Sequence, residues 1–286
     1  MTSSRPTLCN LPVMKTEHTH SRSLGDANSV TIVKVGGAVV EDAVGLDTLL
    51  DAFARINGSK ILVHGGGRSA TAMAQRLDVP VTMIDGRRIT DAPMLDIAVM
   101  VYAGKVNKNI VAALQRRGIR ALGLCGADAD IIRAHRRPVT ASGIDYGFVG
   151  DIDTVDGHIL TSLLNLGLTP IIAPLSHDGR GTLLNTNADT IAAEVASAIA
   201  ATGADTTLTY VFERPGVLTD PDKDDSVISS ITTATFGTLK AEGVISGGMI
   251  PKIQNSLDAV ARGVARVRIT DTIGIADDTR GTTITQ

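Results

Sequence analysis

The sequence predicts an α/β protein in which helices cover both faces of a central, mostly parallel sheet. Apolar residues make up 43% of the 286-residue chain but aromatic residues only 2%, so Val, Ile, Leu and Ala must form the core. Short β-branched runs end at glycine clusters and are followed by windows with helical spacing. This alternation is typical of parallel strands joined by helical crossovers.

The strands are predicted from short apolar runs that suit burial on both faces of a sheet. Six runs alternate with helical windows, at residues 30–35, 60–64, 119–124, 169–173, 206–211 and 267–270. The first two lead directly into glycine turns, at residues 36–37 and 65–67. Because crossovers between parallel strands are right-handed, the connecting loops gather at one edge of the sheet, where such folds bind ligands.

The helices are predicted from apolar residues that recur every three or four positions. Four windows show this spacing or follow a glycine turn, at residues 47–55, 69–77, 189–200 and 247–264. A further helix carries one apolar stripe formed by Leu95, Val99, Tyr102, Val106 and Ile110. Such a stripe normally faces the core, and any part of it that stays exposed is a candidate subunit interface.

Composition and charge exclude several classes of protein. The chain has 27 Lys and Arg against 30 Asp and Glu, a net charge of -3, which disfavours nucleic-acid binding. No run approaches the roughly 18 to 20 consecutive apolar residues that would cross a membrane. Cys9 and Cys125 cannot form a disulfide framework, which favours a cytoplasmic location. Residues 1–29 lack a long apolar segment, and we expect a disordered tail without a secretory signal.

The two glycine turns favour a site for phosphoryl groups. Backbone N–H groups of such turns, together with the positive ends of the helices that follow, hold phosphate oxygens without a formal charge. Neither turn matches the P-loop or the dinucleotide-binding fingerprint. Each turn considered alone is equally typical of a tight turn that requires glycine.

Two lysines and a polar helix start extend this hypothesis. Lys34 lies in an otherwise apolar strand, where an ammonium group is costly unless it faces a ligand or a carboxylate. Lys252 follows a glycine pair by one helical turn and would reach the same cleft. Residues 185–189 (NTNAD) either cap a helix or place Asn185 at a ligand and Asp189 between the two lysines. Each lysine alone is also compatible with a solvated surface position.

Five motifs resemble those of the N-acetylglutamate kinases of the amino acid kinase family. They occur in the order and approximate spacing of that group, at residues 33–37 (VKVGG), 64–67 (HGGG), 86–90 (GRRIT), 185–189 (NTNAD) and 247–252 (GGMIPK). The first motif is shared by many amino acid kinases, whereas the third and fourth together are more specific. The resemblance runs from about residue 30 to the C-terminus. It implies an amino acid kinase-like three-layer sandwich that uses ATP and Mg²⁺ to phosphorylate the side-chain carboxylate of N-acetyl-L-glutamate in arginine biosynthesis.

The resemblance also implies a role for each polar group. Lys34 and Lys252 would contact the transferred phosphoryl group, and Asp189 would orient both lysines. Arg88 would pair with the α-carboxylate of the acceptor, since a planar guanidinium suits a carboxylate, and Asn185 would bind the acylated amine from the other side. The acceptor would be bound by the backbone of Gly66 and Gly67. The nucleotide would be bound by the backbone of Gly36, Gly37, Gly247 and Gly248.

This chemistry needs no general base. The acceptor carboxylate is ionised at neutral pH because an unperturbed glutamate titrates near about 4.3. What the transfer requires is in-line placement of two anions and cancellation of charge on the moving group. The four histidines beyond the tail are too dispersed for a set of metal ligands, and we assign no catalytic role to His64, His135, His158 or His177.

Two lobes that share one sheet are expected. Residues 30–198 would bind the acylglutamate and form the dimer contact, and residues 199–286 would bind the nucleotide. Residues 210–218 (YVFERPGVL) depart from the pattern of the family, so the adenine contacts are not assigned. No residues are assigned to Mg²⁺ either, because the phosphates themselves can supply most of its ligands.

Several alternatives stay open. Arg87 is either an exposed cation or the partner of a second carboxylate, which would make N-succinyl-L-glutamate the substrate. A non-catalytic sensor of arginine intermediates would not need two lysines and Asp189. A carbamate, aspartate or uridylate kinase of the same fold is less favoured, because Arg88 and residues 185–189 suit the carboxylate of an amino acid. A nicotinamide oxidoreductase would need a dinucleotide-binding fingerprint that the sequence lacks. In the family that the motifs resemble, arginine-inhibited members carry an extra N-terminal helix and an acidic, His-containing C-terminal signature. Residues 1–29 show no amphipathic periodicity and residues 277–284 read DDTRGTTI, so the resemblance implies a homodimer that arginine does not inhibit.

Overall fold

The computed structural model describes residues 28–84, 86–220 and 222–286. Its strands are β1 (Ser29–Val35), β2 (Ser59–His64), β3 (Met83–Ile84), β4 (Arg87–Arg88), β5 (Ala121–Leu124), β6 (Ile132–Arg136), β7 (Gly150–Val155), β8 (Thr169–Ile172), β9 (Leu175–His177), β10 (Leu183–Asn185), β11 (Asp205–Val211), β12 (Ser230–Ile231), β13 (Arg266–Thr270) and β14 (Thr282–Ile284). Its α-helices are α1 (Gly37–Glu41), α2 (Ala43–Arg55), α3 (Gly67–Arg76), α4 (Ala92–Ala98), α5 (Asn107–Arg116), α6 (Gly157–Asn165), α7 (Ala188–Ala201), α8 (Thr233–Ala241) and α9 (Met249–Ala261). A π-helical segment, Val99–Val106, joins α4 to α5.

The central sheet has eight strands in the order β12-β14-β13-β11-β1-β2-β8-β5. The six strands from β13 to β5 are parallel, and they are the six that the sequence predicts. Only β14 pairs antiparallel within this sheet, along β13. The predicted α/β fold with a mostly parallel sheet is confirmed. Strands from residue 205 onward form one half of the sheet and earlier strands form the other half.

Two apolar layers, one on each face of the sheet, form the core. Side chains alternate between the faces of a strand, so Ile32 belongs to the apolar cluster that includes residues of α6, α7 and α9, while Val33 belongs to the cluster that includes residues of α2, α3 and α5. The same alternation puts Lys34 on the α7 face and, in β2, His64 on the α5 face with Leu62. The faces on which these polar side chains lie therefore follow from strand position alone.

The helix that carries the apolar stripe runs without a break from α4 through the π-helical segment to α5. In the part of the chain that the structure describes, it is the one helix whose length and apolar composition would also suit a membrane span. Here it is a core helix, because its Tyr102, Val106 and Ile110 are buried against the sheet. The stripe residues Leu95 and Val99 are only partly buried.

A second sheet, in the order β10-β9-β6-β7, and a hairpin of β3 with β4 were not predicted. An isolated bridge from Thr90 to Gly147 links the segment after the hairpin to the segment before β7, and a bridge from Val149 to Asn185 links that segment to β10. These additions bear directly on function, because the hairpin carries Arg88 and the end of β10 carries Asn185.

The expected N-terminal tail lies almost wholly outside the described residues, as does Cys9. Strand β1 begins at Ser29, one residue earlier than predicted. Just before it, the side-chain amide of Asn28 donates a hydrogen bond of 2.7 Å to the carbonyl of Gly203. The described residues therefore begin inside the segment that the sequence assigned to the tail.

Candidate functional site

An ion pair between β1 and α7 forms the centre of the site. Lys34 Nζ lies 2.6 Å from Asp189 Oδ1, and the lysine side chain is only 9% exposed. Asn187 is the N-cap of α7, because its side chain accepts hydrogen bonds from the backbone N–H groups of Asp189 (2.8 Å) and Thr190 (3.1 Å). The cap fixes the first turn of α7, where a negative charge is favourable. Asp189 is thus held in place to neutralise a buried ammonium group.

Lys252 belongs to the same electrostatic group. It lies in the first turn of α9, and its Nζ sits 4.0 Å from the centroid of the Phe212 ring, a cation–π contact. Burial lowers the pKa of Lys252 below its ordinary value, Asp189 opposes that shift, and the positive charge of Lys34 adds to it. The structure therefore brings Lys34, Lys252 and Asp189 together.

The two glycine turns lie against each other at the carboxyl ends of β1 and β2. A Cβ atom on Gly37 would be 3.6 Å from the backbone nitrogens of both Gly66 and Gly67, and one on Gly65 would be 3.0 Å from the nitrogen of Gly37. Gly36 and Gly66 are the N-caps of α1 and α3. Three backbone amides and two helix starts consequently gather beside Lys34, an arrangement that suits phosphoryl oxygens.

On one side of this centre a largely apolar cleft of about 420 Å³ opens between the end of β11 and α9. Its lining includes Gly36, Phe212, Val217, Ile245, Met249 and Lys252. Gly247 and Gly248 are exposed at the rim, and their neighbours Ser246 and Met249 form the wall instead. The volume and apolar lining are appropriate for a nucleoside.

On the other side lies a smaller cleft of about 210 Å³ that is more polar than the first and is lined by Gly66, Gly67, Arg87, Arg88 and Asn185 among others. The buried Arg88 donates from Nη2 to the carbonyl of Gly67 (2.9 Å) and to Thr71 Oγ1 (2.8 Å), which fixes the plane of its guanidinium. Asn185 Nδ2 donates to Thr90 Oγ1 at 2.9 Å. Two guanidinium groups in so small a cleft suit a compact anion.

Three aromatic residues of the site were not predicted. Tyr102 packs beneath the second glycine turn, where a Cβ on Gly66 would approach its ring to 3.0 Å. The Tyr210 hydroxyl donates to the backbone carbonyl of Asp189 at 3.4 Å, and burial, aided by the negative charge of Asp189, raises the pKa of Tyr210. Tyr210 stacks on Phe212 with ring centroids 6.3 Å apart. Their alternate positions at the end of a buried strand are the one sequence signal that could have revealed the pair.

Comparison with known proteins gives a consistent result. Residues 29–271 match the sequence profile described as the amino acid kinase family. Acetylglutamate kinase of Bacteroides thetaiotaomicron is 54% identical over 249 residues, which cover 87% of this chain and 96% of that protein. Acetylglutamate kinase of Carboxydothermus hydrogenoformans is 39% identical over 251 residues, 84% of this chain and 83% of that protein.

Solved structures agree on the fold. The crystal structure of smu.665 from Streptococcus mutans aligns with a TM-score of 0.69 at 28% identity and covers 90% of this chain and 98% of that chain. Carbamate kinase from Giardia lamblia bound to AMP-PNP aligns with a TM-score of 0.67 at 12% identity, over 91% of this chain and 99% of that chain. The second likeness, at such low identity, concerns the fold alone.

Proposed function

Because the chain belongs to the amino acid kinase family, we propose that it transfers the γ-phosphoryl group of ATP to the side-chain carboxylate of N-acetyl-L-glutamate. The observation that carries this proposal is the group of Lys34, Lys252 and Asp189 between an apolar cleft and a small cationic cleft. Relatives at 54% and 39% identity that are named acetylglutamate kinase support the choice of acceptor.

In the proposed reaction, a carboxylate oxygen of the acceptor attacks the γ-phosphorus while the bond to the β,γ-bridging oxygen breaks. An acyl phosphate and ADP form, and no proton has to be removed from the nucleophile. Lys34, Lys252 and the amides of Gly37 and Gly66 neutralise the charge on the moving group. Asp189 holds Lys34 at 2.6 Å so that this ammonium is in place before the reactants bind.

The acceptor would occupy the smaller cleft. The fixed guanidinium of Arg88 is the partner for its α-carboxylate, and Asn185 contacts the acylated amine. Arg87 is exposed at the same cleft. Its position alone does not favour a succinyl group, and the relatives are named for the acetylated substrate. We therefore propose the acetyl compound as the acceptor.

ATP would bind in the larger cleft together with Mg²⁺. Within residues 28–84, 86–220 and 222–286, no group of three His, Cys, Asp or Glu side chains is placed to hold a metal ion. Asp189 is already paired with Lys34. The phosphates of ATP would accordingly supply most ligands of Mg²⁺, which adds positive charge at the transferred group when bound.

ADP release measured with N-acetyl-L-glutamate and with N-succinyl-L-glutamate, each with and without arginine, tests this function. We expect turnover with the acetyl compound and little effect of arginine. Arg88→Lys should raise the KM for the acceptor about 10- to 100-fold, because a fixed charge-assisted hydrogen bond is lost. No ADP release with the acetyl compound would refute the function, and a preference for the succinyl compound would refute the proposed acyl group.

We also propose a cytoplasmic homodimer that acts in arginine biosynthesis. The exposed part of the apolar helix offers the subunit contact, since Leu95 and Val99 are partly exposed and Met100 is 55% exposed. Sedimentation velocity should give twice the chain mass, and Met100→Asp should shift the protein towards the monomer. A wild-type monomer or hexamer would contradict this assembly.

A further inference from the structure

His64, to which the sequence assigned no role, is the last residue of β2 and is fully buried. Its Nδ1 lies 2.7 Å from the carbonyl oxygen of Gly65, the next residue. A carbonyl oxygen can only accept a hydrogen bond, so Nδ1 must carry the proton. Its Nε2 lies 3.1 Å from Nδ2 of Asn107, the first residue of α5.

The orientation of Asn107 settles the other half of this contact. Asn107 Nδ2 donates to the carbonyl of Ile171 at 2.8 Å, and Asn107 Oδ1 accepts from Lys108 Nζ at 3.1 Å. Lys108 Nζ also donates to the carbonyl of Gly123 at 3.0 Å. Reversing the amide would place two acceptors together and two donors together. Nδ2 is therefore the donor, and Nε2 of His64 is the acceptor.

Burial keeps this imidazole neutral. Desolvation, assisted by the positive charge of Lys108, lowers the pKa of His64 to about 4, against the opposing effect of its bond to Gly65. Above about pH 5 the ring is thus a single tautomer with its proton on Nδ1.

We propose that His64 is a positioning residue that aims the N–H group of Gly66 at the transferred phosphoryl group. The carbonyl oxygen of Gly65 and the N–H of Gly66 belong to one planar trans peptide unit and point in opposite directions. Holding the oxygen at His64 turns the N–H away from the α5 layer. The Gly66 nitrogen lies beside Gly37, on the side where the glycine amides gather.

The surrounding packing is arranged for this contact. The π-helical segment contributes Tyr102, which lies against Gly66, and it ends directly before Asn107. Such segments are frequent at functional sites. A Cβ atom on Gly123 would come within 2.0 Å of Asn107 Oδ1, so the network needs glycine at that position.

Two matched variants separate positioning from packing. His64→Asn keeps a donor near the Nδ1 position and loses the contact with Asn107, whereas His64→Gln keeps a polar group near the Nε2 position and loses the donor to Gly65. Each leaves one polar partner unsatisfied, so we expect similar losses in Tm. We expect kcat to fall about 10-fold or more in His64→Gln and by less than about 3-fold in His64→Asn, with KM for ATP and acceptor nearly unchanged. Equal kcat values in both variants, or kcat values that follow Tm, would overturn the proposal.

A measurement on the wild-type protein covers the case in which neither variant folds. Nitrogen-15 NMR of the histidine rings should show His64 neutral with its proton on Nδ1 from pH 5.5 to 8. A proton on Nε2, or an imidazolium in that range, would overturn the inference. The proposal rests on the proposed kinase function, but the NMR result needs no substrate. Absence of wild-type ADP release would therefore refute the function separately from the placement of His64.

Discussion

Lys34→Met tests how much of the site depends on one buried ammonium group. Nζ is 2.6 Å from Asp189 Oδ1, and at an effective dielectric constant of about 20 their gross attraction is about 6 kcal/mol. Desolvation of the lysine offsets most of that attraction. The Asp189 side chain is 39% exposed although its Oδ1 atom is buried, so the unpaired carboxylate keeps its hydration through Oδ2. We therefore expect the free energy of unfolding to change by no more than about 2 kcal/mol.

Catalysis should respond far more strongly than stability. Removing one preorganised positive donor from a developing charge typically costs about 10²- to 10³-fold in kcat. Methionine keeps the length and apolar stem of lysine, so the strand and its neighbours stay filled. The loss should appear in kcat, because Lys34 is proposed to act on the group in transfer rather than on either reactant alone.

Lys60→Met is the matched control. Lys60 is 6% exposed and lies near the start of β2, at the opposite end of the sheet from the glycine turns. Its Nζ donates to the carbonyls of Ala54 (2.9 Å) and Ile56 (2.7 Å). The substitution removes a second buried ammonium by the same change, and kcat should stay within about 2-fold. Initial rates of ADP release and urea unfolding of both variants decide the matter. A kcat for Lys34→Met within about 3-fold of wild type, or an equal loss in Lys60→Met, would refute the reasoning.

Three further predictions concern the pH dependence, the aromatic support and the packing. Burial lowers the pKa of Lys60 from 10.5 to about 8, so between these pH values the native chain releases a proton that the unfolded chain keeps. The free energy of unfolding measured in urea should therefore rise between pH 8 and 10.5. Lys60→Met should remove that part of the rise. Phe212→Leu removes the ring beneath Lys252 and should lower kcat about 2- to 30-fold, the kinetic equivalent of a cation–π contact of about 0.5 to 2 kcal/mol, whereas Phe212→Tyr should stay near wild type. A Cβ on Gly157 would lie 2.3 Å from the carbonyl oxygen of Ala198, so Gly157→Ala should destabilise the fold by about 1 to 3 kcal/mol in thermal or urea unfolding with kcat unchanged.

The parallel strands could be predicted because burial on both faces leaves a continuous apolar run. The second sheet could not, because β9 and β10 have three residues each, too few to show a period. Strand β6 did carry a signal, since Ile132 and Ala134 are buried while Arg133 and His135 are exposed. Without that sheet the sequence could name Asn185 but could not explain how it is held.

The centre of the site was predictable for a related reason. Lys34 and Asp189 lie at one edge of a parallel sheet, where distant parts of a chain meet. The contact of Lys252 with Phe212 and that of His64 with Asn107 depend on how helices pack on the sheet, which residue spacing does not reveal. The glycine pair before Lys252 stays a prediction as a nucleotide contact, since both residues lie at the rim of the larger cleft.

Strand β1 pairs along its whole seven-residue length with β11 and also pairs with β2 on its other side. The halves that carry the two clefts are consequently joined by one unbroken ladder of backbone hydrogen bonds rather than by a flexible tether. Swinging them apart would rupture that ladder. We therefore expect reactants to enter and products to leave through motion of the loops at the rims of the clefts or through a change in the twist of the sheet. Hinge opening between the two halves is not expected.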